Sequence, residues 1–243
     1  MIEAIDLSKR YSNGKLALDA LNLRVAAGEI YCLLGAKGAG KTTAVNLFLG
    51  FAEPTAGKAR IAGADVASEP LKAKAQVAYV ADTTTFYRRL TVLQNLDFFA
   101  RLGGRRRPGR LDCEMALREV GLPESAFAQR VSELDPGGLR KLGIAAALMK
   151  GAPALLLDEP LSGLDPKAAA ELVELLEELR GQGKALLITM QDLFWARQLA
   201  DRVGILQEGR QALTRSRDEL RYENLEKLYL DYMRGGLREL SAR

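Results

Sequence analysis

Gly35-Ala36-Lys37-Gly38-Ala39-Gly40-Lys41-Thr42-Thr43 fits G-x-x-x-x-G-K-[ST], the pattern of a phosphate-binding loop. Its flanks supply the context that the pattern requires. Ile30-Tyr31-Cys32-Leu33-Leu34 is short and apolar, as a buried strand is. Thr42 to Leu49 has the spacing of a helix with an apolar face, and Gly50 stops it. Glycines let successive backbone N–H groups converge on phosphate oxygens without a Cβ in the way. The helix start adds its partial positive charge. Lys41 is placed to reach the β- and γ-phosphates of a nucleotide, and the Thr42 hydroxyl to ligate Mg²⁺.

Composition sets the outer limits. The chain has 243 residues, enough for one large α/β domain or two small ones. It is 48% hydrophobic and 27% charged, ordinary values for a globular protein. The net charge of +4 is mild, and its basic residues are not interleaved with aromatics, so no nucleic-acid surface is expected. Cys32 and Cys113 lie far apart without metal spacing and read as reduced packing residues. There is no histidine, which removes imidazole from every mechanism. No run of 18 apolar residues exists, and Met1 to Asp6 lacks the features of a signal peptide.

Taken in order, Ile2 to Leu7 and Ala17 to Val25 read as two strands in hairpin spacing. They suggest a small antiparallel sheet, continued by residues 55–66. Gln76 to Ala81 is strand-like, Asp82 to Leu90 irregular, and Thr91 to Leu102 an amphipathic helix. A basic loop, Gly103 to Arg110, precedes a second helix at Leu111 to Val120, and it reads as a solvated turn in preference to a lipid-phosphate contact. Ala154-Leu155-Leu156-Leu157 is an apolar strand ending in Asp158 and Glu159. Lys167 to Arg180 is a helix, Ala185 to Thr189 a buried strand, Asp192 to Asp201 a helix, and Val203 to Leu206 a last strand. Strands alternating with helices imply a mainly parallel sheet. Residues 215–243 form a charged tail with a helical pattern.

Asp158 and Glu159 complete the chemistry. Acids at the C-terminal end of a parallel strand stand where ligands bind in open α/β sheets. Asp158 is suited to hold Mg²⁺ through its water, and Glu159 to orient or deprotonate the water that attacks the γ-phosphate.

Leu157-Asp158-Glu159-Pro160 followed by Ser162-Gly163-Leu164-Asp165-Pro166 resembles the Walker B segment and D-loop of ABC transporter ATPase subunits. The resemblance covers nearly the whole chain. Lys141 to Ala145 and Leu199 to Val203 match it too, and Tyr79 to Ala81, Phe86 to Val92 and Asn95-Leu96 look like the drug- and sodium-export subgroup. It implies a P-loop NTPase fold of ABC type: a mainly parallel core sheet, a small antiparallel β subdomain and an inserted helical subdomain at about residues 86–150. On this reading residues 1–214 are the nucleotide-binding domain and 215–243 a short helical tail. It implies ATP and Mg²⁺ as cofactors, with Tyr11 stacking on adenine. A cytoplasmic, peripheral ATPase on the inner face of the membrane would follow, dimeric and docked on a separate permease. The groove around Asp82 to Phe99 would receive that permease, with Phe86, Tyr87, Phe98 and Phe99 as contacts or as core of the helical subdomain.

Three family elements are altered. The signature Leu-Ser-Gly-Gly-Gln aligns with Leu134-Asp135-Pro136-Gly137-Gly138. In the family its serine and helix start hold the γ-phosphate of ATP bound by the opposite subunit. Asp135-Pro136 is instead an acid N-cap with proline at the first helical position. The switch histidine aligns with Gln191, and the Q-loop glutamine with Asp82, one methylene shorter than glutamate. Lys41, Glu159 and Gln191 would then be the catalytic residues and Thr42, Asp82 and Asp158 the metal-side groups. Tyr11 and the loop from Gly35 to Thr43 would bind nucleotide. The expectation is firm ATP binding with slow hydrolysis, as homodimer or heterodimer. The alternative is a catalytically weak, nucleotide-gated regulatory subunit paired with an intact ATPase.

Overall fold

The computed structural model describes residues 1–83, 85–104 and 108–233. Two sheets organise them. The smaller is antiparallel, in the order β2 (Leu16–Val25), β1 (Ile2–Arg10), β4 (Ala56–Ile61), β5 (Ala64–Asp65). It matches the hairpin expected from the first 25 residues and its continuation after residue 55.

The larger sheet has six strands. Four neighbours, β3 (Ile30–Leu34), β8 (Ala185–Met190), β7 (Ala154–Asp158) and the edge strand β6 (Val77–Val80), run parallel, and β9 (Arg202–Gln207) joins β3 in parallel on the other side. Every residue of β3, β7 and β8 is buried. Strands covered on both faces need continuous apolar runs, which is what Ile30 to Leu34 and Ala154 to Leu157 supply. Alternate residues of one strand feed two cores. Cys32, Leu34, Leu155, Leu157, Leu186 and Ile188 pack on the side of the long helices. Tyr31, Leu33, Leu156 and Leu187 pack against α1 (Lys41–Leu49) and the antiparallel sheet.

The edge strand β10 (Arg210–Ser216) was not legible as a strand, and it changes the end of the chain. It pairs antiparallel with β9 across the turn at Glu208-Gly209. The helical pattern therefore starts at Arg217, not Arg215, in α9 (Arg217–Tyr222), followed by α10 (Leu225–Met233). Leu220 and Leu225 are buried in the main core, and Leu228 and Tyr229 pack against it. Residues 234–243 lie outside the described residues, as do Arg105 to Arg107 of the basic loop.

Between β6 and β7 lie α3 (Val92–Leu102), α4 (Arg110–Glu119), the single turn α5 (Glu124–Phe127) and α6 (Pro136–Met149). A one-and-a-half-turn helix, α2 (Pro70–Ala75), precedes β6, and α7 (Pro166–Gly181) and α8 (Leu193–Leu199) flank β8. The starts of the longer helices follow from local chemistry. Thr91 and Gln94 form a capping box on α3, and Asp165 accepts from the backbones of Lys167 and Ala168 at the head of α7. Among the described residues no helix is long and apolar enough to cross a membrane.

Candidate nucleotide site

The phosphate-binding loop connects β3 to α1, and its shape is enforced by neighbours rather than by its own sequence alone. Gly40, with φ +112°, precedes α1, and a Cβ there would sit 2.5 Å from the carbonyl oxygen of Ala17. A Cβ on Gly35 would sit 2.5 Å from that of Leu206. Both positions are closed to any larger residue. No side chain caps the start of α1. Its first N–H groups remain directed at the loop, the arrangement that binds phosphate.

One cleft of about 410 Å³ gathers the expected groups. It is lined by Tyr11, Ala36, Lys37, Gly38, Gly40, Lys41, Thr42, Thr43, Asp82, Asp158, Glu159 and Gln191. Residues from β1's end, the loop, and the ends of β6, β7 and β8 thus converge across 180 residues of sequence. Gly35 and Ala39 belong to the same loop but not to the cleft lining. Lys15 and Ala17 also line it and were not anticipated. Nothing in the local pattern of those two residues marks them.

Lys41 is almost fully buried, at 7% exposure. Its Nζ donates to the carbonyls of Gly35 at 2.6 Å and Ala36 at 3.3 Å, and lies 3.2 Å from Glu159 Oε1. The same Glu159 oxygen accepts from Gln191 Nε2 at 3.1 Å. Glu159 itself has a φ of +47°, rare for a residue with a Cβ. Hydrogen bonds from its N–H to the carbonyl of Thr189, at 3.0 Å, and to the hydroxyl of Thr189, at 3.2 Å, hold it there.

Thr189 is the residue that sequence reasoning missed. It is wholly buried and pairs with Asp158 across the β7–β8 register. Its hydroxyl donates to Asp158 Oδ1. A partial signal existed: one hydroxyl within the otherwise apolar run of β8 needs a partner, although the sequence does not name it.

Tyr11 is 37% exposed, its hydroxyl 3.5 Å from Thr43 Oγ1, with Lys9 Nζ 5.3 Å from the ring centre. Asp82 borders the cleft but is not free: Arg140 Nη2 donates to its Oδ1 at 2.8 Å.

The segment aligned with the signature starts α6, and Asp135 caps it. Its Oδ1 accepts from Gly138 N–H at 2.6 Å, with Pro136 at the first helical position. The contrast with α1 is direct: one helix start is open, the other is closed by its own acid. Of the four aromatics assigned to the docking groove, Phe86 is buried in the core, whereas Tyr87 and Phe98 are exposed. Their rings meet edge to face at 4.9 Å.

Comparison with known proteins agrees with this geometry. The ABC transporter family profile matches residues 18–162. The chain is 37% identical over 218 residues to the daunorubicin resistance ATP-binding protein DrrA3 of Streptomyces coeruleorubidus, covering 88% of this chain and 68% of that one. It is 36% identical over 209 residues to the Nod factor export ATP-binding protein I of Burkholderia orbicola, covering 86% and 68%. A solved ATP binding subunit of an ABC transporter superposes with a TM-score of 0.82 at 29% identity, covering 96% of this chain and 99% of that one. With the phosphate loop, the strand-end acids and the fold all in place, this chain belongs to the ABC transporter family as an ATP-binding cassette.

Proposed function

We propose that this protein is the ATP-hydrolysing subunit of an export system, docked on the inner face of the membrane through a separate permease subunit. The observation that carries the reading is the meeting of Lys41, Gln191 and Glu159 at one carboxylate oxygen, beside Asp158 and Thr42. The relatives named for drug resistance and Nod factor export support export over other transport roles. They also favour the enzyme over the purely regulatory module.

Glu159, anchored at its Oε1, is the base that orients the attacking water. Lys41 exchanges its contact with Glu159 for the incoming phosphates. Tyr11 offers a ring at the cleft mouth for the adenine. Among the described residues no group of three or more acids, histidines or cysteines is close enough to hold a metal by itself. That fits a site for Mg²⁺, which is held by one or two carboxylates together with substrate phosphates. Thr42 and Asp158 are the residues that would hold it, with Asp82 at the edge, and the ion would neutralise charge on the phosphates.

Turnover is slow on this reading. Asp135 places a negative charge where a partner's γ-phosphate would approach. At 4 Å that repulsion is about 1 kcal/mol in water and about 4 at an effective dielectric near 20. A heterodimer with a subunit that carries an intact serine signature fits this asymmetry better than a homodimer with two closed helix starts. Steady-state ATP turnover of the purified chain with Mg²⁺, beside Glu159→Gln, tests the reading. Slow turnover abolished by the substitution supports it. ATP binding with no turnover, alone and with its permease, overturns the enzyme in favour of the regulatory subunit.

A further inference from the structure

Arg140 extends from the second turn of α6 and spends its guanidinium on two other segments. Nη1 donates to the carbonyls of Ala81, at 3.2 Å, and of Asp82. Nη2 donates to Asp82 Oδ1 at 2.8 Å and to the carbonyl of Ser162 at 3.4 Å. Ser162 N–H in turn donates to the carbonyl of Glu159 at 3.1 Å. One side chain, 14% exposed, therefore ties the segment after β6 to the segment after β7. Those are the two segments that bring Asp82 and Glu159 to the cleft.

The chemistry suits arginine. A guanidinium has donors in a fixed planar fork, so it can hold three carbonyls and a carboxylate oxygen at once. A lysine ammonium, a point donor on a flexible stem, cannot reproduce that geometry. The ion pair also offsets the charge of Asp82, which would otherwise add to Asp158 and Glu159 in a cleft built for phosphate. Arg140 is not itself part of the described cleft lining, so it acts through the groups that it holds.

We propose that Arg140 is a positioning residue for ATP hydrolysis, fixing the Asp82 carboxylate at the cleft edge and the Ser162 segment behind Glu159. This rests on the reading of Asp82 as a magnesium-side group. It gives α6, whose start is closed by Asp135, a direct mechanical hold on the chain's own nucleotide site.

The test compares wild type, Arg140→Lys, Arg140→Ala, Asp82→Ala and the Arg140→Ala/Asp82→Ala double variant. Binding of a fluorescent ATP analogue and steady-state turnover are each followed as Mg²⁺ is titrated from zero. Hydrogen exchange is read in peptides covering 77–83 and 159–165. Arg140→Ala is expected to raise the Mg²⁺ concentration for half-maximal binding and turnover by about 10- to 100-fold, the usual cost of losing a group that orients a ligand. Binding without Mg²⁺ should stay within about twofold. Exchange in both peptides should rise together, Arg140→Lys should recover part of the loss, and the double variant should need no more Mg²⁺ than Asp82→Ala does. An unchanged Mg²⁺ requirement in Arg140→Ala, while Asp82→Ala shifts it, overturns the role of Arg140 alone. Equal weakening with and without Mg²⁺ also overturns it, since that is a general loosening of the fold. An unchanged requirement in Asp82→Ala overturns the magnesium-side reading of Asp82 and this proposal with it.

Discussion

Lys41 Nζ lies 3.2 Å from Glu159 Oε1, with both side chains largely buried. The lysine of the phosphate loop and the acid after β7 are therefore partners across 118 positions, and nucleotide phosphates must compete with Glu159 for the lysine.

Replacing Glu159 by Gln removes that competition and the base together. ATP affinity is expected to rise about 5-fold, equivalent to about 1 kcal/mol, because a neutral amide holds Lys41 less tightly than a carboxylate does. Turnover should fall by about 100-fold or more. Titration with a fluorescent nucleotide and a phosphate-release assay give the two numbers. Weaker binding in Glu159→Gln would show that Lys41 is not shared between acid and phosphate.

Gln191 donates to the same Glu159 oxygen at 3.1 Å. Gln191→Ala leaves the acid with one anchor, and turnover should drop about 10- to 100-fold with the KM for ATP within about twofold. Gln191→Glu should be worse, since it sets two carboxylates against each other. If Gln191→Ala turns over like wild type, the glutamine is only part of the wall.

The cap on α6 separates a stability effect from a phosphate effect. Asp135→Ala loses the bond to Gly138 N–H and should cost about 1 kcal/mol, lowering the thermal midpoint by about 3 °C. Asp135→Ser with Pro136→Gly keeps a capping oxygen but removes the charge. That double variant should strengthen ATP-dependent self-association, measured by multi-angle light scattering with Glu159→Gln in the background. Unaltered association would remove the electrostatic explanation.

Two glycines with positive φ should behave differently. Gly40→Ala meets the Ala17 carbonyl at 2.5 Å and should lower the thermal midpoint by more than about 6 °C, with loss of nucleotide binding. Gly63, at φ +86° between β4 and β5, has open space around its Cβ position. Gly63→Ala should cost only the backbone strain, about 1 kcal/mol or 3 °C, and bind ATP normally. Differential scanning calorimetry with and without nucleotide checks both.

Much of this molecule was legible locally. The run from Gly35 to Thr43, the apolar strands at Ile30 and Ala154, and the Asp135-Pro136 helix start each carry their meaning within a few residues, because turn, strand and capping chemistry are short-range. They fix the phosphate loop, the strand-end acids and the closed start of α6 independently of any long-range contact.

What only the tertiary structure decided lies in pairs far apart in the chain. The last strand, Arg210 to Ser216, exists because β9 offers it an edge, and its own mixed composition does not announce it. Gly35 and Gly40 are indispensable because Leu206 and Ala17 bring carbonyls against them. Thr189 became part of the site only through the register that sets it beside Asp158. Arg140 found Asp82 across 58 positions because α6 packs against β6, and no local pattern encodes such a meeting. The sequence determined which chemistry was present; packing decided which groups hold one another, because burial rewards contacts irrespective of their separation along the chain.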